Sequence, residues 1–130
     1  MNRAIAVLLA LLGASFSSQA HHSFPVSYET DQIITLDGIV EDWVWRNPHP
    51  FLFVVVEEEN GETQTWAVEF GNATGLALRG LTPEDFHEGD HILIVGSPGR
   101  DGRTALHFTG LLRPADGFQF GNIEHLSNNE

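Results

Sequence analysis

The chain has 130 residues, no Cys, six Lys plus Arg against 18 Asp plus Glu, and a formal charge of −12. That length fits one domain, and without thiols there can be no disulfide, no thiolate chemistry and no lipid anchor on Cys. The negative balance repels phosphate backbones and anionic lipid, which sets nucleic acid aside as a partner.

The first twenty residues read as a secretory leader. Asn2-Arg3 is a short positive start, Ala4 to Phe16 is apolar, and Ser18 and Ala20 are the small residues that signal cleavage requires. The apolar run is shorter than the roughly 20 residues of a membrane span. Cleavage is expected after Ala20, which leaves His21 as the first mature residue. A periplasmic or secreted protein without a membrane span is the expectation. Losing Arg3 takes the formal charge from −12 to −13, and no Lys remains to offset it.

Residues 21–31 form a polar lead-in. Ile33 to Trp45 is rich in β-branched and aromatic residues and reads as a long first strand, with Gly38 marking a bulge or bend. Phe51 to Val56 is an unbroken apolar run, expected to be a strand buried on both faces. Asn60-Gly61 is a strong hairpin signal. Glu62 to Phe70 then alternates as a third strand. Asn72 can cap a short helix that Gly80 closes. Thr82-Pro83-Glu84-Asp85 reads as a second helical start, a single turn at most.

Beyond it, His91 to Val95 is the fourth strand and Pro98 to Gly102 a turn cluster. Thr104 to Leu112 is the fifth strand, with Leu106, Phe108 and Leu112 on one side and His107, Thr109 and Leu111 on the other. Phe118 to Phe120 can add a short edge strand, and residues 121–130 read as a polar flexible tail. Three strands, a helix and two strands is the order of a five-stranded OB-like barrel. The domain is expected over residues 21–120, and an open sandwich is the competing all-β architecture. In such barrels ligands meet strands two and three and two of the loops. Those loops are Arg46 to Pro50 and Pro98 to Arg103.

Several short motifs occur together: His21-His22-Ser23-Phe24, then Trp45 and Asn47-Pro48-His49, then Trp66-Ala67-Val68-Glu69. Leu78-Arg79-Gly80 precedes Gly89-Asp90, and Asp116-Gly117 lies near the end. The combination resembles a family of small exported bacterial proteins known only as a domain of unknown function. Leu81 departs from the basic or aromatic residue that the family usually carries there. The resemblance implies an exported β-rich domain and brings no activity with it.

An N-terminal histidine offers its amine and a ring nitrogen to one metal, and the amine deprotonates readily when metal competes. A second His completes a planar nitrogen set suited to copper. His22, His49, His91 and His107 are the available completers, and His21, His22 and His49 form the candidate metal set. Zinc, with a carboxylate such as Glu69, is the competing ion. His49 lies between two prolines that hold its loop extended, although an ordinary tight corner needs the same prolines.

The second candidate is an aromatic face. Trp43, Trp45, Phe51, Phe53 and Trp66 can form a stacking platform, or they can simply be core. Trp45, Trp66 and Glu69 are its candidate ligand-binding residues. Ser23, Ser27 and Ser97 lack the setting of an activated nucleophile. Glu57-Glu58-Glu59 reads as a solvated run, and no catalytic residue is assigned. Three readings follow: a binding module with copper at its N-terminus, a metal-free barrel for a small ligand or protein, and an oxidative copper enzyme on the same histidines. The intact mass of exported protein should correspond to residues 21–130. A mature chain starting elsewhere would remove His21 as the first residue, and the metal reading with it.

Overall fold

The computed structural model describes residues 24–127. A helical turn, α1 (Phe24–Ser27), precedes β1 (Ile34–Val44), β2 (Phe51–Glu57) and β3 (Thr63–Glu69). The helix α2 (Ala73–Leu78) follows, then β4 (His91–Pro98), β5 (Ala105–Arg113), β6 (Phe118–Gly121) and a last turn, α3 (Glu124–Ser127). The strands lie in the order β3-β2-β1-β4-β5-β6, and a further pairing of β3 with β5 closes the first five into a barrel. That pairing is parallel while the others are antiparallel. The five-stranded OB-like order is therefore present, with β6 as an added edge strand.

Apolar burial holds the barrel. Leu52, Val54, Val68, Ile92, Ile94, Leu106 and Leu111 are fully buried in one cluster with Phe70, Leu76 and Leu81. Each such side chain contributes roughly 1.5–3 kcal/mol relative to an exposed one. The helix end completes the cluster. Asn72 Oδ1 accepts the Gly75 N–H at 3.1 Å. Gly80 takes φ 91°, and the N–H groups of Gly80 and Leu81 return to Ala77 O at 3.0 Å and Leu76 O at 3.1 Å. This glycine-based helix stop drives Leu81 inward, where it is fully buried in the core.

Three expectations need correction. The first concerns Gly38. The register of β1 slips between Val40 and Asp42, not at Gly38. At Gly38 the strand pairs with Val56 on one side and Ile92 on the other. A Cβ there would stand 2.6 Å from Val54 Cγ1 and from Val55 O. The glycine thus permits a close crossing where the strand changes partners.

The second correction is β2, which is not buried on both faces. Leu52 and Val54 point inward, while Phe51, Phe53 and Val55 are partly exposed on the outer face. The third is β5. Val95 pairs with Gly110 but Gly96 pairs with Phe108, leaving Thr109 as an extra residue. This bulge reverses the alternation, so Leu106 and Leu111 both reach the core.

Where the sequence reads as a polar tail, the Asn122 N–H bonds Thr109 O at 3.0 Å and α3 follows. Among the described residues no helix is long and apolar enough to cross a membrane. The leader, its cleavage point, His21 and His22 lie outside the described residues.

Gly96 is the tightest point of the β4–β5 ladder. A Cβ there would lie 2.1 Å from His107 O and 2.8 Å from Leu106 Cγ. Gly96→Ala should therefore destabilise the barrel by about 1–3 kcal/mol, the usual cost of overpacking. Urea unfolding measures it, and an unchanged midpoint would contradict this packing.

Candidate functional site

One end of the β3–β5 seam gathers two histidines, a carboxylate and a tyrosine. Parallel pairing sets Glu69 opposite His107, and antiparallel pairing sets His107 opposite Ser97. Val68 and Leu106, one residue back, are fully buried. Strand alternation therefore turns Glu69 and His107 to the outside of the barrel. The β1–β2 loop brings His49 to the same place, between Pro48 and Pro50. The Asn47-Pro48 bond is cis.

His49 Nδ1 lies 2.8 Å from Phe70 O and 4.0 Å from Glu69 Oε1. A carbonyl only accepts, so Nδ1 carries the proton. In the neutral ring this leaves Nε2 as the nitrogen with a free lone pair. Metal-binding histidines are commonly oriented by such a bond on the opposite nitrogen. Phe70 is itself fixed: its N–H bonds Pro50 O at 3.0 Å, and its ring stacks on Phe108 at 4.1 Å.

The residues after the predicted leader cover this end. Tyr28 is buried, and its hydroxyl donates to Glu69 Oε2. Burial, then the Glu69 carboxylate, push the Tyr28 phenol well above its ordinary range, so it stays protonated. Phe24 lays its ring 4.0 Å from the His107 ring and 6.1 Å from the His49 ring, centroid to centroid. Tyr28 stands 5.4 Å from His107. Burial lowers the His107 pKa; Glu69 opposes that shift and His49 adds to it. At neutral pH the His107 ring is thus uncharged and keeps a lone pair.

The arrangement offers two imidazole rings and a carboxylate at a partly open edge. Among the described residues, no group of three His, Asp or Glu side chains converges closely enough to hold a metal alone. His91 is set apart at the far end of β4, where its Nε2 contacts Asp37 at 2.6 Å.

The aromatic candidates divide between two faces. Trp43, Trp45 and Trp66 pack against the core. Trp43 meets Trp45 edge-on at 5.6 Å and donates from Nε1 to Thr82 O at 3.1 Å. Trp66 Nε1 is buried with no partner among the described residues. Phe51 and Phe53 stack at 6.3 Å on the outer side, with the Arg46 guanidinium 4.9 Å from the Phe51 ring. Glu69 joins the histidines and not the tryptophans. Arg100 and Arg103 belong to the Pro98 to Arg103 loop, where the sequence places a ligand contact but not a hold on residues 24–29. For Tyr28 the hint is its place after a histidine-rich start.

Residues 9–108 match the family of unknown function DUF6152. The chain belongs to this family. Its matched stretch contains Phe24, Tyr28, His49, Glu69 and His107, and ends before β6. No curated protein and no solved structure matches the chain.

The His107 environment has a consequence for stability in this family member. Its folded pKa lies below the ordinary 6.5. As pH falls through that value, the unfolded chain takes up a proton that the folded ring resists, so stability drops toward acid. Between about pH 7.5 and about pH 5.5 the urea midpoint of metal-free protein should fall more than that of His107→Gln. Parallel profiles for the two proteins would show that the ring is not held neutral.

Proposed function

We propose that the mature protein is a small exported binding module that holds copper between its N-terminal histidine and the His49–His107 pair. The observation that carries the reading is the seat of Phe24. Its ring packs on both imidazoles, and it stands three residues after the expected mature terminus. Three residues reach no further than about 11 Å. A tether of that length from the seated Phe24 is long enough to let His21 span to His49 Nε2 or to the His107 ring. The amine and ring of His21 would supply two nitrogens, and His49 or His107 a third. His22 remains a candidate from its place beside His21.

Copper(II) is the preferred ion because it binds most strongly among the first-row divalent ions and suits a planar nitrogen set. Zinc would favour a tetrahedral set that draws in Glu69 or a water. Glu69 is better suited to an outer role. One oxygen is engaged by Tyr28 and the other stands 4.0 Å from His49 Nδ1, where its charge supports an imidazole that the Phe70 carbonyl orients. Protons compete for the same nitrogens, and copper affinity should weaken as pH falls through about 6.5.

The test is calorimetric titration of copper(II) into protein with its authentic N-terminus. His21→Ala, His49→Ala and a form with one extra residue before His21 serve as comparisons. The extra residue keeps every side chain and moves only the amine. Each change should weaken binding by about tenfold or more. Equal binding by all four proteins, or binding by none, would end the metal reading and leave a metal-free binding barrel.

A further inference from the structure

The segment that seats Phe24 has little to hold it in place by itself. It is one helical turn of four residues, Phe24–Ser27, far below the length at which a helix is stable alone. Its end carbonyls have no helical partners. Two arginines from the β4–β5 turn supply them. Arg100 Nε donates to Pro25 O at 2.8 Å, and Arg103 Nη2 donates to Ser27 O. Arg100 Nη1 also pairs with Glu29 Oε2 at 2.8 Å. Backbone contacts run alongside: Tyr28 bridges to Gly99, and the Glu29 N–H bonds Pro98 O at 2.8 Å.

The turn is built to present this pair. Asp101 takes φ 58° and Gly102 φ 71°, a left-handed corner that Asp and Gly tolerate best. The corner separates Arg100 from Arg103, and both still reach the same segment. The Arg103 N–H closes it on Arg100 O at 3.3 Å. Guanidinium groups suit the task because their planar fork gives several donors in fixed directions, which an ammonium does not.

We infer that Arg100 and Arg103 are positioning residues: they clamp residues 24–29 against the β4–β5 turn, and so seat the Phe24 ring on His107 and His49. Neither arginine touches the imidazoles through any of these bonds; both act through the segment they hold. The clamp itself stands on the contacts above, and its effect on copper rests on the proposed metal reading.

The experiment separates the two. Phe24 lies against the His107 ring, so its ring current displaces the His107 carbon-bound protons in the NMR spectrum. In Arg100→Gln/Arg103→Gln those resonances should move toward the position of a free imidazole, while the barrel's amide spectrum persists. Copper affinity should fall by about tenfold, with an altered copper(II) EPR spectrum. The single variants Arg100→Lys and Arg103→Lys keep the charge and lose the fork. They should shift the same resonances part of the way, and they supply the test should the double variant not fold. Unmoved His107 resonances in the variants would overturn the clamp whatever copper does. If the authentic wild type binds no copper, the metal reading falls, and the NMR result alone decides the clamp.

Discussion

Ala67 with Ala105, Val68 with Leu106 and Glu69 with His107 are the three residue pairs through which β3 and β5 run parallel and close the barrel. Parallel neighbours cannot be joined by a tight hairpin, so the chain must travel through α2 and β4 before β5 returns to β3. The middle pair is fully buried and belongs to the core. The last pair projects outward and belongs to the site. One short ladder therefore fixes both the closure of the fold and the distance between a carboxylate and an imidazole. A register slip of one residue would bury Glu69 and His107 and expose Val68 and Leu106, so the site geometry is protected by the hydrophobic core behind it.

The same economy appears around the polar groups. Glu69 does not face solvent as a free carboxylate; a tyrosine hydroxyl takes one oxygen and His49 stands near the other. His49 is turned by a backbone carbonyl whose own residue is locked by ring stacking and by Pro50. Glu69 and His49 are thus each oriented by a group that has a structural reason to stay still. This is the arrangement that tight geometric control of a bound ion or small ligand requires.

Much of the architecture was legible in the sequence because its signals are local. Asn60-Gly61 marks the β2–β3 hairpin, Asn72 and Gly80 bound the helix, and the order of strands pointed to the barrel. Features that depend on curvature were not legible. The bulge at Thr109 inverts the pattern of β5, and nothing within nine consecutive residues of a strand announces which one will be extra. Gly38 reads locally as a bulge or bend, whereas its reason lies in β2, some sixteen positions away at Val54. Of the site, His49, His107 and Glu69 stand out in the sequence as candidate ligands, and Phe24 as part of the His21-His22-Ser23-Phe24 motif. The roles of Tyr28, Arg100 and Arg103 are not legible in the sequence, because they exist only through contacts spanning 41 to 76 residues.

The placement of the arginines has one more consequence. Arg46 lies over Phe51, Arg79 over Phe120, and Arg113 over Phe86 and Phe118, where it also meets Asp90 and Asp116. Arg100 and Arg103 are turned onto main-chain carbonyls. Each arginine of the described residues is therefore engaged with the protein's own surface, and the field felt at a distance is that of the net charge, with 18 Asp plus Glu against six Lys plus Arg. A small cation diffusing in dilute salt is drawn inward from most directions, its local concentration raised before any ligand touches it. A polyanion is turned away over the same approach. Added salt shortens the range of this field to about 10 Å at 0.1 M, so capture of a cation would be fast in fresh water and slow in brine, with no change in the groups that finally bind it.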